Sequence, residues 1–265
     1  MDKKKIIQTI LFIILLTILF FLTYLLFHKY VLKNYFENDV LSFANKNENI
    51  IFKIDKITFF SSCDAKNKTA SNTNFTIENL YQYTDIAIFI TTTSTEKNIE
   101  NTPKKVFIDN IKYNKLPSIG EPHLYYKNIN NFAKSDFIED NPIQGKLEFN
   151  ITSEETADLN QPTLYNNLAN PIVFSYINSN IKTDYTMTDI LNPITYDGSL
   201  LKRCNVLLSH LDCNISFDIY ITNHLNQEFK STVSVDIPLE TDTQTIYDGN
   251  LTLKKDTNFV FYRYK

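Results

Sequence analysis

The stretch Cys213–Thr222, CNISFDIYIT, decides the fold class of this chain because its apolar and polar side chains alternate without a break. Successive side chains of a β-strand point to opposite faces, so strict alternation is typical of a strand with one buried and one solvated face. The buried face of this strand is predicted to carry Cys213, Ile215, Phe217, Ile219 and Ile221. A strand of this kind belongs in an antiparallel sheet whose inner face packs on a core.

The same period of two recurs on both sides of that strand. Phe229–Leu239 repeats it after the six residues NHLNQE, a suitable length for a hairpin loop. Gly145–Thr152, GKLEFNIT, is another regular strand pattern upstream. Two strand patterns change parity, one at Lys56 and one between Ile108 and Ile111, which indicates a bulge or a change of pairing in each. Further strands are predicted at 50–59, 84–90, 106–113 and 259–264, and a hairpin at 172–187 turns through Asn178-Ser179-Asn180.

Short strands separated by polar turns, ten or more in all, are typical of an antiparallel β-sandwich. We therefore predict a mainly β ectodomain at residues 49–265, loosely immunoglobulin-like in architecture. The chain has no Trp, so it lacks the Cys…Trp…Cys pattern of true immunoglobulin domains. Polar loops are predicted at 61–76, 91–103 and 153–162. The last loop is where the ectodomain would divide if it contained two sandwiches, and the choice between one and two stays open.

One five-residue pattern occurs twice in the C-terminal part of the chain. Residues 196–200 read YDGSL and residues 247–251 read YDGNL. Asp-Gly is a signal for a type I′ turn, so each copy is predicted to mark a hairpin or the beginning of a strand. Two copies of so short a pattern do not indicate a repeat protein.

Ahead of the β patterns, Ile6–Phe27 reads IIQTILFIILLTILFFLTYLLF and contains no charged residue, Gly or Pro. At about 1.5 Å per residue this run reaches roughly 33 Å as a helix, enough to cross a hydrocarbon core of about 30 Å. We predict a single-pass transmembrane helix in contact with the lipid bilayer. Residues 28–48 continue with apolar side chains at helical spacing and are interpreted as a helical stalk or linker.

The lysines that flank the apolar run indicate its orientation. Lys3–Lys5 precede it, whereas only Lys29 and Lys33 follow it closely. By the positive-inside rule, residues 1–5 form a cytoplasmic tail and residues 49–265 lie outside the cytoplasm, at the cell membrane. A cleaved signal peptide is the alternative. Its apolar core is usually about 7 to 15 residues long and ends at a small-residue cleavage site, so the longer run here favours an uncleaved signal anchor.

Composition excludes several classes of function. The chain carries a formal net charge of −4 and has no basic footprint, so we predict no nucleic-acid partner. Only four glycines occur, and they lie far apart, which excludes the clustered glycines of P-loop and dinucleotide-binding motifs. No spacing of Cys and His residues suggests zinc. We therefore predict neither a cofactor nor a metal.

The three cysteines are Cys63, Cys204 and Cys213. Outside the cytoplasm a disulfide can persist, and Cys204 with Cys213 is the best pair because a hairpin in that register would also set Val206 opposite Leu211. Closing this short loop is worth about 2.5–3 kcal/mol in the chain-entropy model. The alternative is that both are buried free thiols, since the intervening turn contains neither Gly nor Asn at its tip.

Three groups of side chains are candidates for chemistry or binding. Ser209, His210 and Asp212 are the residue types of a hydrolytic triad, but neighbours within one hairpin do not readily converge on one point. Acidic residues that could serve a glycosidase or hold calcium are Asp136, Glu139, Asp140, Glu154, Glu155 and Asp158. Tyrosines that could form a face for sugar or peptide are Tyr113, Tyr125, Tyr126 and Tyr220. For the acidic residues and the tyrosines, the competing interpretations are solvated charge and core packing.

An anchor joined to a β-sandwich without a catalytic constellation indicates a non-enzymatic protein that binds another protein or an envelope polymer. Two alternatives stay open. The acidic group is compatible with a membrane-anchored glycan hydrolase, and the helix with its stalk is compatible with a structural subunit of a membrane complex. The identity of the ligand lies beyond the sequence.

Overall fold

The computed structural model describes residues 3–44, 50–70, 75–93, 99–127, 143–153, 161–187 and 194–264. The chain divides into two compact units, residues 1–49 and residues 50–265. Each unit is described below by itself.

Helix α1 (Lys3–Ala44) makes up the described part of the first unit. Within it, Ile7–Tyr35 has a mean hydropathy of 3.0 and is the one helix in the described residues that is long and apolar enough to cross a membrane. The hydroxyls of Thr9, Thr17 and Thr23 donate to backbone carbonyls one helical turn earlier, which satisfies these polar groups within the helix. Such a helix is compatible with a membrane anchor and with a signal sequence.

Two β-sheets make up most of the described part of the second unit. The strands are β1 Phe52–Ala70, β2 Phe75–Thr92, β3 Pro103–Lys115, β4 Glu121–Tyr126, β5 Leu147–Thr152, β6 Thr163–Tyr165, β7 Ile172–Met187, β8 Asn214–Asn223, β9 Glu228–Asp236, β10 Leu251–Val260 and β11 Tyr262–Arg263. The first sheet has the order β10-β1-β2-β7-β4 and is antiparallel. The second has the order β11-β9-β8-β3-β5-β6 and is antiparallel except for the parallel pair β5–β6. The predicted mainly β fold is confirmed; an immunoglobulin-like architecture stays a prediction.

The inner faces of both sheets contribute to one hydrophobic core, called here the first core. Phe174 of β7 meets Phe217 of β8 at a ring-centroid distance of 5.3 Å with perpendicular rings. Phe52 of β1 meets Phe229 of β9 in the same manner, also at 5.3 Å. The five alternating side chains from Cys213 to Ile221 all lie in this core, as the alternation predicts. Edge-to-face pairs of this kind add to the free energy gained by burying the rings.

Both predicted changes of parity are bulges in the structure. The register of β1 shifts between Ile54 and Lys56 against both neighbouring strands. In β3 the register against β8 shifts between Asp109 and Lys112, where Asn110 takes a φ of 54°. Asn tolerates this left-handed conformation better than most residues, so an extra residue can be inserted there without breaking the strand.

Two segments differ from the prediction because strands continue through polar sequence. The predicted loop 61–76 is mostly strand, since β1 runs to Ala70 and β2 begins at Phe75. The predicted hairpin at 172–187 is the single strand β7, because Asn178 is buried and its side chain donates to Ile119 O at 3.0 Å instead of forming a turn. Asn180, at a φ of 56°, lies within the strand. Cross-strand pairing and burial override turn composition in both places.

The far ends of β1, β2 and β7 belong to another hydrophobic cluster, called here the second core. Helix α2 (Ser199–Arg203) contributes Leu200 and Leu201, which are fully buried. The 3-10 helix Ile246–Asp248 contributes Ile246. The buried members are Cys63, Ala65, Ile77, Leu80, Ile181, Leu200, Leu201, Val206, Leu211, Leu239, Ile246 and Leu251. This cluster explains why strand pairing extends through the polar stretch of β1 and β2.

The prediction of a hairpin or a strand start is confirmed at one Asp-Gly pair and wrong at the other. Strand β10 begins at Leu251, shortly after the second pair, whereas helix α2 follows the first. Gly198 precedes α2 with helical dihedral angles, and Gly249 ends the 3-10 helix with a φ of 123°. A Cβ atom on Gly198 would lie 2.1 Å from Ile246 O and 2.2 Å from Gly249 O. The two copies of the pattern therefore pack against each other, and backbone contact at this point requires glycine.

The C-terminal segment lies at one edge of each sheet. Strand β10 pairs with β1 in the first sheet, and β11 pairs with β9 in the second. Between them Phe261 is buried, and its backbone N–H donates to Phe52 O at 3.1 Å. The terminal strand predicted at 259–264 is therefore divided between the end of β10 and β11, which lie at the edges of different sheets.

Candidate binding groove

A groove of about 590 Å³ lies where the end of β3 approaches β4. Among the residues that the structure describes, its lining contains no Asp, Glu, Lys or Arg and is formed by Ile111, Tyr113, Pro122, His123, Leu124, Tyr125, Ile143, Gln144 and Gly145. The volume falls within the range of about 300–1,000 Å³ that is usual for sites that bind small molecules. The bulge at Asn110 in β3 directly precedes the two residues that β3 contributes.

The groove combines aromatic rings with neutral polar groups. Burial raises the pKa of Tyr113, and the nearby groups of Cys213 and Tyr125 raise it further. Burial also raises the pKa of Tyr125. Both phenols are therefore protonated at neutral pH and can donate hydrogen bonds. An uncharged ligand with hydrogen-bonding groups suits this lining, because a buried charge would find no opposite charge among the described lining residues.

His123 lies at the rim of the groove and is exposed. Its Nδ1 atom is 3.3 Å from Glu121 O, and its ring centroid is 6.4 Å from that of Tyr125. Gln144 is also exposed and offers both a donor and an acceptor. The rim therefore presents a ring and an amide beside the two phenols.

Strand β4 forms an edge of the first sheet, but its outer side is already occupied. Pro122 has no N–H, and its carbonyl accepts from the Tyr113 hydroxyl at 3.5 Å. Ile143 N donates to Leu124 O at 2.8 Å. Addition of a partner strand needs free backbone donors and acceptors along the edge. The groove beside β4, and not the strand itself, is therefore the better place for a ligand.

The structure brings together two of the four tyrosines that the sequence marks. Tyr113 and Tyr125 line the groove, whereas Tyr126 is buried and its hydroxyl donates to Gln161 O at 2.5 Å. Tyr220 lies on the outer face of the second sheet. Sequence reasoning missed His123 and Gln144, because contacts between distant segments place these residues beside Tyr113. Tyr113 contacts Pro122, and Ile143 contacts Leu124.

Phe107, Tyr220 and Tyr264 form an aromatic surface on the outer face of the second sheet. Phe107 and Tyr220 stack at 4.7 Å with nearly parallel rings, and Tyr264 meets Tyr220 edge-on at 5.7 Å. Lys146 Nζ lies 3.9 Å from the Phe107 ring centroid, and Lys230 Nζ lies 5.6 Å from that of Tyr220. Because ammonium groups already lie over these rings, the surface is a weaker candidate for stacking against a ligand.

The catalytic candidates from the sequence do not form a site in the described residues. Asp212 accepts from Lys115 Nζ at 3.0 Å, while Ser209 and His210 lie in an exposed 3-10 helix. The six acidic candidates, Asp136, Glu139, Asp140, Glu154, Glu155 and Asp158, lie outside the described residues. In the described ranges no group of three or more His, Cys, Asp or Glu side chains could hold a metal ion.

All three cysteines are free thiols in the structure. The hairpin expected between Cys204 and Cys213 is wrong, because Cys204 ends helix α2 and a 3-10 helix (Leu208–His210) follows it. Cys213 lies in the first core, whereas Cys204 packs against the second. Burial raises the pKa of Cys213 to about 11 and also raises that of Cys63 and Cys204, so all three are protonated at neutral pH. The Cys204–Cys213 disulfide stays a prediction.

No protein-family model, curated protein or solved structure matches this chain. Arguments about function therefore rest on the residues and their arrangement alone.

Proposed function

We propose that this chain is a non-enzymatic, single-pass membrane protein that holds a neutral sugar unit of an envelope polymer in the groove beside β4. The observation that carries the proposal is the lining of the groove, which joins the rings of Tyr113, Tyr125 and His123 to neutral hydrogen-bonding groups. Sugar rings combine an apolar face with a rim of hydroxyls, and an aromatic ring next to phenol and amide groups complements both.

The strand order supports an immunoglobulin-like sandwich as the scaffold of this groove. Strands β1-β2-β7-β4 follow the order A-B-E-D, and β9-β8-β3 follow G-F-C, which are the two sheets of a constant-type immunoglobulin fold. Strands β5, β6, β10 and β11 are additions to that plan. Immunoglobulin-like sandwiches commonly serve as interaction modules, but this association concerns the fold and not the site.

A binding assay on the full chain in detergent tests the groove. The probes are immobilised neutral oligosaccharides and purified envelope polymer. We expect Tyr125→Ala to weaken binding about tenfold, because a factor of ten corresponds to about 1.4 kcal/mol and loss of one stacked ring is of that order.

Tyr196→Ala is the matched control, since Tyr196 is 39% exposed and does not line the groove. Equal effects of the two variants, or robust turnover of a substrate by the wild-type chain, would contradict the proposal.

The proposed location has its own test. Positive charge before the apolar helix supports an N-terminus in the cytoplasm and a binding unit outside it. Protease added to intact cells is expected to remove a C-terminal tag while an N-terminal tag survives in a membrane fragment. If the C-terminal tag on wall-stripped cells resists the protease until the cells are opened, residues 50–265 lie in the cytoplasm.

A further inference from the structure

A buried lysine and a buried aspartate meet on the side of the first sheet that faces away from the first core. Asp85 lies on β2 and Lys127 directly follows β4, and the Lys127 Nζ atom contacts Asp85 Oδ2. Asp85 is 0% exposed and Lys127 is 5% exposed. Ser175 of β7, also buried, donates its hydroxyl to Asp85 Oδ1 at 2.5 Å. The two oxygens of one carboxylate are thus held by an amine and by a hydroxyl.

The register of the sheet explains this meeting. Asp85 pairs with Ser175 between β2 and β7, and Ser175 pairs with Tyr125 between β7 and β4. Lys127 follows Tyr125 by two residues and therefore shares its face, so its long side chain can reach back across β7 to β2. The ring of Tyr83 lies 5.9 Å from Lys127 Nζ and is itself buried. The pair therefore joins β2 to the end of β4, two strands that β7 separates in the sheet.

Burial makes the charged form of this pair unfavourable. Taking an ammonium and a carboxylate out of water is costly, and transfer of one proton from nitrogen to oxygen leaves a neutral amine and a neutral acid. A neutral amine is a nucleophile, and a neutral carboxylic acid can be attacked at carbon. Positioning of the two groups in contact removes most of the entropic barrier to their reaction.

We propose that Lys127 and Asp85 condense to an intramolecular amide. Lys127 Nζ attacks Asp85 Cγ, and the negative charge that develops on Oδ1 is stabilised by the Ser175 hydroxyl. Nitrogen gives up two of its three protons to Oδ2, the Cγ–Oδ2 bond breaks, and one water leaves. No oxidant, reductant or other reactant is needed. Exclusion of water from the buried pair then protects the amide from hydrolysis.

The amide ties the edge strand β4 to the central strand β2 across β7. His123 and Tyr125 of β4, together with Ile143, which bonds to Leu124 of β4, form one wall of the groove. An amide at Lys127 keeps β4 attached to β2, so this wall stays in place when force acts on a bound polymer. The cross-link does not depend on what the groove binds, so its test and the binding assay are independent.

Intact mass of the full chain under denaturing conditions tests the proposal. The wild-type chain is expected to be lighter than its sequence by one water, and digestion is expected to release a branched peptide that joins the segments containing Asp85 and Lys127. Lys127→Arg keeps a positive charge beside Asp85 but removes the reactive amine, so it is expected to have the mass of its sequence.

Asp85→Asn gives a second readout in case the arginine variant does not fold. Attack on a carboxamide expels ammonia, so this variant is expected to lose that mass and to reach the same final mass as the wild type. A wild-type chain with the full sequence mass would overturn the proposal. So would a loss of water that maps to Asp197-Gly198 or Asp248-Gly249, where succinimide formation also expels water, or one that persists in Lys127→Arg.

Discussion

The two hydrophobic cores of residues 50–265 are built in different ways. The first core joins the inner faces of two sheets through regular strands and pairs of aromatic rings such as Phe174 with Phe217. The second core joins the far ends of three strands to α2, to a 3-10 helix and to irregular segments. The first depends on the volume of its side chains, whereas the second also depends on close approach of backbones at Gly198. Substitutions should therefore break the two cores by different means.

The largest effect is expected from Phe217→Ala in the first core. Phe217 is 1% exposed and packs edge-to-face on Phe174. Truncation of a buried Phe leaves a cavity and costs about 3–5 kcal/mol. Denaturant unfolding of the detergent-solubilised chain, followed by far-UV circular dichroism, measures the change in the free energy of unfolding.

Phe107→Ala is the control for this substitution, because Phe107 lies on the outer face of the same sheet. Its loss is expected to lower the free energy of unfolding by about 1 kcal/mol, which is typical of a surface aromatic pair. Similar losses for both variants would mean that the first core is not the main source of stability.

An intermediate effect is expected from Gly198→Ala in the second core. The new Cβ would lie 2.1 Å from Ile246 O and 2.2 Å from Gly249 O, so one backbone must move. Overpacking of this kind costs about 1–3 kcal/mol. Amide hydrogen exchange is expected to speed up in residues 199–206, while the slow amides of β8 keep their protection because the first core is intact.

Gly145→Ala is the control for this local effect. Its Cβ would meet nothing within 4 Å, although the φ of 81° makes any side chain unfavourable. Exchange in residues 199–206 should stay at the wild-type rate in this variant. Faster exchange throughout β8 in Gly198→Ala would show that the two cores unfold together.

The contrast between the cores also explains which parts of the fold could be predicted from sequence. Strands of the first core alternate strictly, so the pattern predicts β8 at 213–222, and the strand is found at Asn214–Asn223. The second core is formed by residues distant in sequence, such as Cys63 with Leu200. Its strands contain many polar residues, and its contact at Gly198 joins distant segments, so neither gives a periodic pattern. The sequence therefore predicts loops and hairpin turns there instead.

The candidate groove was predictable only in part for a similar reason. Tyr113 and Tyr125 could be marked as aromatic residues near strands, but not as neighbours, because β3 and β4 belong to different sheets. The pair of Asp85 and Lys127 carries no sequence signal, since one residue lies within an apolar strand and the other directly follows a strand. Contacts across three strands depend on register, which a single sequence does not fix.

The smallest effect is expected from Asp218→Asn on the outer face of the second sheet. The pH dependence of this variant's stability tests whether that face contributes to the stability of the first core. Burial alone would raise the pKa of Asp218, but hydrogen bonds from Lys230, Thr232 and Asn110 lower it overall. A carboxyl whose folded-state pKa is lowered stabilises the protein above its unfolded-state pKa of about 3.9, and this stabilisation is lost as the pH falls through the lower folded-state value. Asp218→Asn is expected to lower the free energy of unfolding by about 1 kcal/mol at neutral pH, a difference that shrinks below about pH 4.

Asp256→Asn is the matched control, because the Asp256 side chain is 84% exposed and lies 3.6 Å from Lys254. It is expected to leave both the free energy of unfolding and its acid dependence unchanged, since exposed pairs contribute little. If the free energy of unfolding of Asp218→Asn kept the wild-type pH dependence, the interactions of Asp218 on the outer face would not contribute to the stability of the first core. Unfolding in acid would then have to begin elsewhere, and hydrogen exchange at low pH in residues 199–206 and in β8 would decide whether the second core opens first.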